Sequence, residues 1–105
     1  MRRLTQVAAL AGAVDTAAFL ASRRQLFSDA PQRAYGSLAV LGLWVGIAAA
    51  ARREARGLCV GLAAVNAAGQ AAMLGVHLRH GIAGPRVWTG AALGGVALGG
   101  ALASR

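Results

Sequence analysis

LTQVAALAGAVDTAAFLA, residues 4–21, is the stretch that decides the fold. It is an apolar run long enough to enter a bilayer, yet it carries a carboxylate, Asp15, in its second half. Three more apolar runs follow, at residues 34–51, 57–78 and 82–103, separated by short arginine-bearing links. A helix needs about 20 apolar residues to cross the hydrocarbon core, with about 17 as the lower limit. All four runs meet that limit, and none shows the period-2 alternation of a membrane barrel strand. Backbone groups in lipid must then close their hydrogen bonds within helices. The expected fold is all-α: one four-helix transmembrane bundle over residues 1–105.

Composition agrees. Of 105 residues, 57% are hydrophobic and only 13% charged, where a soluble domain carries about a quarter charged. Lipid around the outer face explains the shortage of polar cover. The net charge is +8, from eleven arginines against Asp15, Asp29 and Glu54. Arginine without lysine, beside so much alanine and glycine, suits a GC-rich bacterial genome, and the expected location is the bacterial inner membrane. The arginines sit in clusters between apolar runs, so Arg23, Arg24, Arg52, Arg53 and Arg56 are expected at lipid headgroups, preferentially anionic ones. No basic face or set of stacking aromatics points to nucleic acid. Cys59 is alone and reads as a small core residue.

Local signals mark the helix ends. Ser28 or Asp29 is expected to cap the second helix, with Pro31 in its first turn. Pro85 suits the first turn of the fourth, and Gly81 the end of the third. Between Ser22 and Arg33, Leu26 and Phe27 are placed to touch the membrane surface. Arg2 and Arg3 before an apolar stretch resemble a signal peptide, but Asp15 interrupts the run and no small-x-small site precedes Ser22. With both termini on one side, six arginines face five across the membrane, which barely fixes orientation.

Two sets of residues stand out inside the runs. Glycines recur at four-residue spacing: Gly42 with Gly46, Gly57 with Gly61, Gly90 with Gly94, and Gly95 with Gly99. Such pairs form a flat groove where two backbones approach closely. They point to tight packing, within the chain or against copies or larger membrane proteins. The second set is polar. Asn66, Gln70, Met73 and His77 follow one helical stripe. Counting turns brings Asp15, Gln70 and Thr89 to one depth, flanked by His77 and Arg86. A charge at that depth costs about 3 kcal/mol unless paired or neutralised. Asp15 is therefore expected to take a proton, to pair with an arginine, or to face water. His77 and His80 lack a third ligand nearby, so no metal is expected, and neither is a cofactor. Phe19, Phe27, Tyr35 and Trp88 form an interfacial belt, with Trp44 deeper.

Two family resemblances arise. The run Arg33-Ala34-Tyr35-Gly36, then Leu41-Gly42-Leu43-Trp44 and the His80-Gly81 link resemble DoxX-like four-helix membrane proteins. Four spans, balanced arginines and an acid in the first span also resemble the small multidrug resistance exporters, which dimerise in opposed orientations. That resemblance implies Asp15 as the working acid, although Ala11-Gly12-Ala13-Val14-Asp15-Thr16-Ala17-Ala18 lacks the rest of those exporters' motif. No nucleophile–base pair or phosphate loop argues for an enzyme. The leading expectation is an interaction or accessory subunit, in a homo-oligomer or larger complex, held by small-residue faces. The competing one is proton-coupled transport on Asp15.

Overall fold

A computed structural model describes residues 2–103, with side chains from Arg3 onward. The arginines counted at Arg2 and Arg105 therefore lie outside the described side chains. Among the described residues the regular elements are helices: α1 (Arg2–Ser22), α2 (Leu26–Asp29), α3 (Pro31–Arg52), α4 (Arg56–Arg79) and α5 (Pro85–Ala103). Those over Arg3–Ser22, Pro31–Arg52 and Arg56–Arg79 are long and apolar enough to cross a membrane. The fourth expected span corresponds to α5, which is not among these three. The α5 helix has 19 residues and opens on Pro85 and Arg86.

The ends follow local chemistry. Pro31 opens α3, where its missing amide costs nothing. The expected cap is different, however. Ser28 and Asp29 are drawn into the single turn of α2, and Ala30 occupies the cap position with no side-chain bond. Pro85 opens α5 as expected. Past α4, Gly81 takes φ 67°. The Ile82 amide donates to the His77 carbonyl at 2.9 Å and the Gly81 amide to Leu78 at 3.2 Å. This is the closed turn that a left-handed residue permits. The end of α3 makes the same turn with Glu54 at φ 59°, where Ala55 donates to Ala50 at 3.0 Å.

The long helices form a ring: α1 touches α3 and α5, and α4 touches the same two. The ring is dense at one end and open at the other. At the dense end Ala8, Ala9, Ala13, Ile47, Ala48, Ala50, Ala51, Ala63, Ala97 and Ala101 make the core. Methyl side chains let the backbones close together. There the buried Thr5 hydroxyl donates to the Ala97 carbonyl at 3.2 Å, tying α1 to α5. Trp44 lies deep, as its position predicts, and is buried with Ile47. Large apolar side chains face outward instead: Val7, Val14, Val45, Leu58, Val65 and Val76 are exposed. A helix that is apolar on all sides suits lipid around it.

Candidate functional site

At the open end lies a cavity of about 530 Å³, walled by all four long helices and by Leu26 of α2. Each helix contributes one face at three- and four-residue spacing. From α1 come Gly12, Asp15, Thr16 and Phe19; from α4, Gln70, Met73 and His77; from α5, Arg86, Val87, Gly90 and Leu93. The α3 wall runs through Gln32, Arg33, Gly36, Ser37, Val40 and Trp44.

The centre of the site is an ion pair. Arg86 donates from Nη2 to Asp15 Oδ2 at 3.2 Å and from Nε to the same oxygen at 3.3 Å. A third bond runs from Nη2 to the Asp15 carbonyl at 3.1 Å. The guanidinium also lies 3.9 Å from the Phe19 ring centroid, an attractive cation–π contact. Arg86 is thus held by the carboxylate, the backbone and the ring at once. The two side chains are 41% and 43% exposed, so the pair is accessible to whatever fills the cavity. In water such a pair contributes about 1 kcal/mol or less.

The remaining polar groups differ in how they are held. His77 Nδ1 is 2.8 Å from the Met73 carbonyl. A carbonyl only accepts, so Nδ1 carries the proton, and in the neutral ring Nε2 is left as an acceptor. The Gln70 side chain lies against the glycines of α5. A Cβ at Gly90 would meet Gln70 Oε1 at 2.6 Å, and one at Gly94 would meet its Cγ at 3.3 Å. Glycine at both positions makes room for this amide. Arg33 lines the cavity and has no hydrogen-bond or ion-pair partner among the described residues.

Two residues expected in the cluster stand apart. Thr89 turns its hydroxyl back to the Pro85 carbonyl at 2.9 Å and is exposed outside the cavity. A threonine on a helix satisfies itself this way without a partner helix. Asn66 lies one turn from Gln70 but is 1% exposed and does not line the cavity. Neither its Oδ1 nor its Nδ2 has a hydrogen-bond partner. Asp15, Gln70, His77 and Arg86 do come together.

The glycine pairs divide. Gly90 and Gly94 pack inside the ring, and a Cβ on Gly46 would meet Leu62 Cδ1 at 3.2 Å. Gly42, Gly57, Gly61, Gly95 and Gly99 have open space where a side chain would be. Of the expected headgroup arginines, Arg24, Arg52 and Arg53 are exposed. Arg23 lies 5.8 Å from the Phe19 ring centroid. Arg56 instead donates to the Leu102 carbonyl at 3.2 Å, tying the start of α4 to the end of α5. Phe27 and Tyr35 meet edge to face at 6.1 Å. Sequence reasoning missed Arg33 and Phe19 as cavity residues. Their helical spacing, Phe19 four residues from Asp15 and Arg33 seven from Val40, was the signal available.

No protein-family model, curated protein or solved structure matches the chain.

Proposed function

We propose that this is a small multi-pass membrane protein, with α5 crossing beside the other three helices, and that it works as a carrier centred on Asp15 and Arg86. Packing supports the fourth crossing: α5 contacts both α1 and α4, and its first turn supplies the arginine for Asp15. Laying α5 on the surface would break that pair. The observation that carries the function is convergence. Asp15, Arg86, His77 and the Gln70 amide, from three helices, wall one cavity, with Arg33 and Gln32 added by α3. Inside a bilayer such groups mark substrate and proton paths. A carboxylate released from its arginine there must take a proton or another cation. Making and breaking the Asp15–Arg86 pair would therefore couple a proton to the movement of a charged solute.

The test is proton movement in liposomes with an entrapped pH-sensitive dye, challenged with a panel of charged solutes. Wild type should move protons with at least one solute. Asp15→Asn should fold and move none. No response from wild type, or an equal one from the variant, would discard the carrier.

A second reading, an accessory subunit in a homo-oligomer or larger membrane complex, has its own support. Gly95 and Gly99 leave a bare groove on α5 with nothing within 4 Å of their side-chain positions. A second membrane helix packs well in such a groove. Assembly size in mild detergent, with and without leucine in the groove, tests it.

A further inference from the structure

The α3 wall of the cavity has a polarity that the ion pair does not use. Arg33, Gly36, Val40 and Trp44 form one stripe of that helix. From Arg33 to Trp44 the stripe is about 16 Å long. Arg33 lies in the first turn of α3, at the mouth, and Trp44 is buried in the dense half of the ring. The facing walls carry apolar Phe19, Met73, Val87 and Leu93 together with Asp15, Gln70, His77 and Arg86. The cavity is a slot with an apolar strip along Gly36, Val40 and Trp44.

Its charge is uneven. Asp15 and Arg86 cancel each other, with three hydrogen bonds between them. His77 commits Nδ1 to a backbone carbonyl. The Arg33 guanidinium is left without a partner among the described residues. A cationic guest would meet both arginines and find the one acid already occupied. An anionic guest would meet a free, planar five-donor group shaped to hold a carboxylate through two bonds.

We propose that the slot binds a single-chain fatty-acid anion, its carboxylate on Arg33 and its acyl tail along Gly36 and Val40 toward Trp44. The length suits a medium-chain tail, and about 530 Å³ holds one such chain but not a two-chain phospholipid. This rests on the reading that the cavity is the working site and names the ligand class for it.

The experiment uses the full chain in phosphatidylcholine nanodiscs, with radiolabelled dodecanoate as probe and empty discs as the blank. Binding should be saturable and displaced by unlabelled dodecanoate. Dodecanol and dodecyltrimethylammonium, with the same tail and neutral or positive heads, should displace it poorly. Arg33→Gln should weaken binding about tenfold or more, since a charge-assisted bond to carboxylate is lost. Gly36→Leu should block the slot. A side chain at position 36 has nothing within 4 Å, so helix content should stay unchanged by circular dichroism. If it does not, Val40→Phe replaces it as the blocking variant. Equal binding by Arg33→Gln, equal displacement by the neutral or cationic analogue, or wild-type binding in the blocked variant would each overturn the proposal. The liposome assay separates the two ideas. Dodecanoate binding without proton movement keeps the ligand and discards the carrier. Asp15-dependent proton movement without dodecanoate binding does the reverse.

Discussion

The Trp44 indole on α3 occupies the space that any side chain on Gly12 of α1 would need. A Cβ built on Gly12 falls inside the contact distance of three indole ring carbons. The ring is buried, so making room for a Cβ means shifting a packed side chain. Gly12→Ala should therefore destabilise the protein by about 1–3 kcal/mol, the usual cost of overpacking. Unfolding of the detergent-solubilised protein measures it. Trp44→Leu alone also destabilises, by leaving a cavity. Combined with Gly12→Ala, however, the two costs should fall short of their sum by about 1 kcal/mol. Simple additivity would show that the contact is not tight.

Gly81 is the second fold-level test. Its φ of 67° closes α4 and turns the chain toward α5. Open space surrounds the position, so only the backbone conformation is at stake. Gly81→Ala should cost about 1 kcal/mol. The same thermal or denaturant series checks it, and a neutral result would mean the turn is not held in this form.

Asp15 and Arg86 should respond unequally to loss of charge. Asp15→Asn keeps the shape and leaves Arg86 over Phe19, so its stability should stay within about 1 kcal/mol of wild type, given the exposure of the pair. Arg86→Gln leaves the Asp15 carboxylate without its partner and should be the worse of the two. The double variant should recover toward Asp15→Asn. Yield and unfolding midpoint report all three. Equal losses from both single variants would mean the pair is not formed in the membrane.

Leucine scanning of α5 should split its glycines into two classes. Gly90→Leu and Gly94→Leu collide with Gln70, and for Gly94 also with the Ala67 backbone. These should lower yield. Gly95→Leu and Gly99→Leu enter open space and should leave yield intact. If they reduce assembly size as well, the outer groove holds a partner. A uniform response along the helix would contradict the packing of α5 on α4.

Reporter fusions at the two ends test the number of crossings. The proposed fourth crossing through α5 puts both termini on one side of the membrane. Opposite-side signals would reduce the crossings to an odd number and remove α5 from the bilayer.

The sequence by itself determined that the chain is helical, that at least three helices have spanning length and apolarity, and where several helices begin and end. Those features depend on chain-local chemistry: run length, the missing amide of Pro31 and Pro85, and the freedom of Gly81. It also singled out Asp15, Gln70, His77 and Arg86, because polar groups are conspicuous in apolar runs. Only the tertiary structure decided which of them meet. Asp15 and Arg86 are 71 residues apart, and their pairing depends on how α1 and α5 are rotated against each other. Periodicity fixes a face only when one side of a helix is polar. Here nearly every side is apolar, so rotation is set by fit: Trp44 against Gly12, and Gln70 against Gly90 and Gly94. The same fit put Thr89 outside the cluster, buried Asn66 beneath it, and turned Gly95 and Gly99 outward. Close contact between helices is a property of two surfaces at once, and neither surface alone encodes it.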